Sequence, residues 1–227
     1  METMSMSQTA KKSAKKSSAR ILAEHGVPGV KSVHGVTYDG QNVVFVHGDG
    51  GELVKLGADG SERGRLSISG ADAGVAFDGT HLWVVAGQRI QRVDPESGEV
   101  LGSIPAPDEH TTGLAWQSGA LWAGSFRGQK LYKLDAESGK VLRTLESDRF
   151  VTGVSFSEGE LWHGTYEGEG EEVRTELRRI DDATGEVLEV VEMPRGVVVS
   201  GLELFENRAF CGDHRTGTVR VVERPRR

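Results

Sequence analysis

One pattern recurs five times along the chain and limits what it can fold into. The segments VHGVTYDGQNVVF, DAGVAFDGTHLWV, TTGLAWQSGALWA, VTGVSFSEGELWH and VSGLELFENRAFC align on Gly35, Gly74, Gly113, Gly153 and Gly201. The spacings, 39, 39, 40 and 48 residues, lie in the range where a fixed period signals a propeller or another repeat array. Each copy opens with a short apolar segment closed by Tyr38, Phe77, Trp116, Phe156 or Leu204, followed by a polar turn and a second segment led by Phe45, Trp83, Trp122, Trp162 or Phe210. A third, alternating segment follows, such as LYKLD at 131–135, then turns of one design (ADGS, PESGE, AESGK, DATGE) before a fourth, such as VLRTL. Such turns supply the positive φ that tight hairpins need, and the flanking segments have strand length and β composition. Each copy therefore reads as a four-stranded antiparallel meander, one blade of an all-β, five-bladed β-propeller.

The fifth copy runs out after its third strand, at Val219–Val222, so the ring must be closed from elsewhere. Ile21-Leu22 through Pro28 to Gly35 matches Val187-Leu188 through Pro194 to Gly201 at a constant offset of 166, which makes residues 20–28 the expected outer strand of blade 5. The chain divides into a flexible tail or short helix at 1–18 and one domain at 19–227. Its blades fall at about 33–70, 71–110, 111–150, 151–196, and 197–224 with 20–28.

Charge narrows the partners. The net charge is −7, and the tail holds four lysines against Glu2, or +3, which leaves −7 − 3 = −10 on the rest. A nucleic-acid partner is disfavoured for such a body. There is no apolar run near the ~18 residues of a membrane span. Cys211 is the sole cysteine and no apolar stretch follows the N-terminal lysines, so a soluble, cytoplasmic protein is expected.

A five-bladed propeller of this length, with a Gly-Leu, aromatic, Gly pattern in its last blade, resembles the plant and bacterial glutaminyl cyclases (glutamine cyclotransferases) over residues 20–223. The resemblance implies a reaction at one mouth of the central channel, in that family the conversion of N-terminal Gln to pyroglutamate. It also implies Thr-Gln-Gly at the start of blade 1 and an acidic Phe/Tyr-Glu-Ser motif in its second strand. This chain has Val33-His34-Gly35 and Phe45-Val46-His47 there. Cyclisation needs a group that takes a proton from the α-amine and returns one to the leaving ammonia, which Val46 cannot do, so cyclase activity is expected to be absent or very weak. A basic residue of the family late in blade 5 falls near His214 or Arg215.

The blade geometry sorts the remaining residues. The start of a first strand, the end of a second and the links between blades share one face. His34 heads its copy where the others have Ala73, Thr112, Thr152 and Ser200, and should point at the channel. His34 and His214, with Asp49 and Asp213 to orient them, are the expected catalytic groups. His47, Asp72, Thr112, Arg127, Thr152, Tyr166, Ser200 and Arg215 are the expected substrate contacts. Five of the seven histidines (His34, His47, His110, His163, His214) map to this end, whereas His81 lies at the other. Nothing in the sequence requires a cofactor. Two imidazoles and two carboxylates would suit a divalent metal, although their spacing forms no metal motif.

Blade 4 carries about six extra residues within YEGEGEEVRTE at 166–176, since Trp162 to Leu177 spans 15 positions against 9 from Trp122 to Leu131; the loop is a candidate lid or a tolerated insertion. His163 and Cys211 occupy equivalent positions that should pack between blades, and the tryptophans repeat with the blades as core. Two functions fit. One is a small-molecule or peptide-processing enzyme of lyase, hydrolase or cyclase type with a His/Asp-lined funnel. The alternative is a non-catalytic propeller that binds a peptide, protein or small ligand.

Overall fold

The computed structural model describes residues 13–48 and 51–225. It is a five-bladed β-propeller with antiparallel four-stranded blades and, among the described residues, a single 3-10 turn, Gly170–Glu172. Two strands precede the repeats, β1 (Lys15–Ser18) and β2 (Ile21–Gly26). Blade 1 is β3 (Val33–Tyr38), β4 (Val43–His47), β5 (Glu52–Leu56) and β6 (Glu62–Ser67). Blade 2 is β7 (Ala71–Phe77), β8 (Leu82–Ala86), β9 (Arg89–Val93) and β10 (Val100–Pro105). Blade 3 is β11 (Thr111–Gln117), β12 (Ala120–Ser125), β13 (Lys130–Asp135) and β14 (Val141–Glu146). Blade 4 is β15 (Phe150–Ser157), β16 (Glu160–Tyr166), β17 (Glu176–Ile180) and β18 (Val187–Glu192). Blade 5 is β19 (Gly201–Phe205), β20 (Arg208–Asp213), β21 (Thr218–Glu223) and, from the other end of the chain, β2.

β2 runs antiparallel to β21, with Ile21 opposite Val222 and Gly26 opposite Thr218, and so seals the ring as the repeat offset requires. The segment before it departs from expectation. Lys15–Ser18, assigned to the tail, is a strand that pairs in parallel with β18 and gives blade 4 a fifth strand. A Lys/Ser segment has little β preference of its own, but an unpaired outer edge offers it a row of backbone donors and acceptors. Ala19 N–H then donates to Glu192 O at 2.8 Å as the chain crosses to blade 5. Residues 1–12 lie outside the described part. No helix among the described residues is long and apolar enough to cross a membrane.

The apolar core is divided into five clusters, one at each interface between blades. Alternation along a strand sends successive side chains to opposite faces, and here both faces meet a neighbouring blade, so both are apolar. Val46 and Val44 face blade 2, while Phe45 faces blade 5. Trp83, Trp122 and Trp162 are buried, and each indole N–H donates to a side chain of its own hairpin: Asp78, Gln117 and Glu160. These tryptophans are core, as expected.

The aligned glycines are where the five innermost strands touch. A Cβ on Gly35 would lie 2.5 Å from Val75 N, and one on Gly201 would lie 2.4 Å from His34 O; Gly74, Gly113 and Gly153 meet the next blade in the same way. The repeat keeps glycine because the strands pack backbone to backbone around the axis. Beside these glycines β3, β7, β11 and β15 each shift register against the second strand, an irregularity that re-aims the neighbouring side chains.

Candidate functional site

Directly above the glycine ring lies a cavity of about 760 Å³. Its floor is the residue before each glycine: His34, Ala73, Thr112, Thr152 and Ser200. Its walls come from the β12–β13 turn of blade 3 (Phe126, Arg127), from Phe150 at the start of β15, from Tyr166 and Glu169 on the blade 4 insertion, and from His214 in the β20–β21 turn of blade 5. The insertion therefore forms part of the mouth. It is tied down by hydrogen bonds between Glu167 and Arg174 in both directions, by ion pairs of Arg149 with Glu167 and Glu176, and by Arg215 Nη1, which donates to Gly170 O at 3.0 Å.

His34 and His214, contributed by the first and last blades, stand with ring centroids 6.4 Å apart and planes at 76°. At this spacing both imidazoles can address one bound group from two directions. The His34 ring lies over Gly48, whose Cβ, if it had one, would fall 2.1 Å from Nε2. His214 has its pKa lowered, first by burial and then by the charge of His34; Asp213 opposes the shift and Arg215 adds to it. It is therefore predominantly the neutral imidazole near pH 7.

The other expected contacts divide. Arg127, Thr152 and Tyr166 line the cavity. Thr112 and Ser200 also line it, but their hydroxyls are committed to backbone carbonyls: Thr112 donates toward Val151 O and Thr152 O, and Ser200 toward Val33 O and Gly212 O. They stitch adjacent blades together. Asp72 is outside the lining yet within the field of His34. Its carboxyl pKa is raised by desolvation, held in check by the Gly87 N–H, which donates to it at 3.2 Å, and by His34.

Two assignments need correction. Asp213 does not face the funnel; it is 1% exposed, accepts the N–H groups of Arg215 and Thr216, and is paired with Arg220 Nη1 at 2.5 Å. Its role is to hold the β20–β21 turn. His47 points away as well, toward Glu52, with Nδ1 3.6 Å from that carboxylate. Asp49 lies outside the described residues.

Of the five histidines expected at this end, two reach the funnel. His110 sits on the surface near Glu109, and His163 is buried at the interface of blades 3 and 4, where burial pushes its pKa down to about 4. Cys211 is packed between blades 4 and 5, and burial pushes its thiol up to about 12, so it is not a nucleophile at neutral pH. Among the described residues no cluster of three or more His, Cys, Asp or Glu side chains is arranged to hold a metal ion.

Sequence reasoning missed four contributors. Phe126 and Phe150 stack with centroids 4.7 Å apart, and Phe126 lies 5.9 Å from Tyr166, which makes an aromatic wall opposite the imidazoles. Gly48 seats His34. The fourth, Glu203, lies two residues beyond Gly201, on the other side of the glycine ring from the funnel floor. It accepts hydrogen bonds from Thr37 Oγ1 at 3.0 Å and Ser155 Oγ at 2.9 Å, the equivalent positions of the blades on either side. Burial pushes its pKa up to about 7 against the pull of those hydroxyls. The repeat alignment held the signal: that column reads Thr37, Ala76, Ala115, Ser155, Glu203, with one charged residue.

No family model and no curated protein sequence matches the chain. Among solved structures, the fold is similar to the crystal structure of the glutaminyl cyclase of Myxococcus xanthus, with a TM-score of 0.76 and 14% identity over 93% of this chain and 98% of that one. The computationally designed Ika8 protein overlaps at a TM-score of 0.48, with 20% identity over 84% of this chain and 58% of that one.

Proposed function

We propose that this chain is an enzyme that processes a small molecule or peptide in the funnel by acid–base chemistry, of lyase, hydrolase or cyclase type, with His34 and His214 moving the protons. The observation that carries this reading is the convergence of two imidazoles, 180 positions apart in sequence, at one end of a cavity of ligand size. His214, kept neutral by burial and by the positive charges beside it, is the base. His34, steered by Gly48 and facing the field of Asp72, hands a proton to the leaving group. Both act on a ligand held between them and the aromatic wall.

Similarity of fold to a glutaminyl cyclase supports an enzymatic use for a propeller of this size, and no more than that at 14% identity. Its reaction is not carried over. Val46, at the position of the expected acidic motif, is fully buried against blade 2, and among the described residues no carboxylate of blade 1 takes its place in the cavity lining.

The test has two arms. Purified protein incubated with N-terminal Gln peptides should release no ammonia; robust release would overturn the exclusion. A panel of amides, esters, lactones and β-substituted acids should then yield a turned-over substrate. His34→Ala and His214→Ala should each remove that activity, and His81→Ala should leave it unchanged. The rate should persist into mildly acidic solution before falling, because His214 protonates below the ordinary histidine range. Wild-type turnover in both funnel variants would refute the site. Saturable binding without turnover of any panel member would favour the non-catalytic binding propeller.

A further inference from the structure

The funnel has two unlike walls, and the second defines what can be bound. His34 and His214 form one. The other is a continuous aromatic surface of Phe126, Phe150 and Tyr166, and packing among these rings does not bury them: Phe150 remains 37% exposed. Beside it, Arg127 projects from the β12–β13 turn into the same cavity and has no carboxylate partner among the described residues. An exposed aromatic face offers a ring or large apolar group an offset-stacking partner and displaces poorly held water. An unpaired guanidinium offers a carboxylate two parallel N–H donors, an arrangement a lysine ammonium cannot provide.

We propose that the site takes a carboxylate bearing an aromatic or similarly bulky apolar group, with the ring on Phe126–Phe150–Tyr166 and the carboxylate on Arg127. The bond to be processed then lies toward His34 and His214. This deepens the functional reading above and rests on the funnel being the site. The cavity, about 760 Å³, falls in the middle of the range that encloses ligands of this size. Glu169, on the insertion at the mouth, carries the one opposing charge among the described residues of the lining. It would disfavour a ligand whose carboxylate pointed outward, so orientation as well as affinity is set by the Arg127 side.

Isothermal titration with 3-phenylpropionate, propionate and phenethylamine tests the assignment in wild type and in Phe150→Ala, Arg127→Gln and His34→Ala. 3-Phenylpropionate should bind saturably, and propionate and phenethylamine at least tenfold more weakly. Phe150→Ala and Arg127→Gln should each weaken 3-phenylpropionate tenfold or more, with unchanged thermal melts. His34→Ala should still bind it, because that residue serves the chemistry and not the anchor. Tighter binding of phenethylamine, equal binding by wild type and both wall variants, or no saturable binding at millimolar concentration would each overturn the proposal. Loss of turnover in the histidine variants alongside any of these results would leave the acid–base reading standing and remove only the ligand class.

Discussion

Replacing Glu203 by glutamine isolates the one carboxyl group held among the innermost strands below the glycine ring. Its pKa stands at about 7 instead of the ordinary 4.5 because burial penalises the anion more than the Thr37 and Ser155 hydroxyls favour it. At ~1.4 kcal/mol for each tenfold change in proton affinity, that rise corresponds to about 3 kcal/mol. Since the folded-state pKa is raised, the folded protein holds the proton more tightly than the unfolded chain. The associated stability is fully present below about pH 4.5 and is lost as pH rises through about 7. The amide of the Glu203→Gln variant is neutral throughout and isosteric, with an oxygen to accept from one hydroxyl and an NH₂ to donate to the other. Denaturation of both proteins from pH 4 to 9 cancels every other titrating group in the difference. The wild type should lose about 3 kcal/mol relative to Glu203→Gln across this window, and for a domain of this size that is a divergence of about 6–12 °C in Tm. Parallel pH profiles would show that the carboxyl is solvated or compensated, and a divergence of opposite sign would show that the hydroxyls dominate burial; either refutes the reasoning.

Three further outcomes follow from the geometry. Gly48→Ala leaves the backbone unstrained but puts a methyl where the His34 ring lies, so turnover should fall at least tenfold while Tm moves by only a few degrees. Gly113→Ala, whose Cβ would meet Thr152 O at 2.5 Å and Val154 N at 2.6 Å, collides with backbone that cannot swing aside, and urea denaturation should show a loss of about 3 kcal/mol or more. Chains beginning at residue 15, 20 and 29 should melt in steps: the first like wild type, the second a few degrees lower for want of β1, and the third not as a cooperative fold, because β21 loses β2 and blade 5 its closing edge. Circular dichroism melts of the three read this directly, and equal melting of the last two would refute the closure.

The architecture was legible in the residues because every blade repeats one problem. A strand with both faces buried must be apolar at nearly every position, a tight hairpin needs Gly or Asp at fixed places, and five copies with a missing strand leave one way to close a ring. Local chemistry of this kind is written in local sequence, and the aligned glycines even marked the plane of closest approach. The column before them pointed correctly to the funnel floor, since Ala73, Thr112, Thr152, Ser200 and His34 share one place in the repeat.

What a side chain does at that place was decided in three dimensions. Asp213 and His47 lie at the expected ends of their strands, yet the first is claimed by Arg220 and its own turn and the second turns to Glu52. Thr112 and Ser200 reach the funnel with their hydroxyls already bound to carbonyls of the neighbouring blade. The aromatic wall depends on Phe126, from a turn of blade 3, meeting the paired strand ends Phe150 and Tyr166 of blade 4, and Glu203 acquires its shifted proton only because two other blades enclose it. Lys15–Ser18, polar and unremarkable in sequence, became a strand because blade 4 had an open edge to offer. Repetition determines where the strands run, whereas the competition of neighbouring blades for each polar group exists only once they are packed side by side.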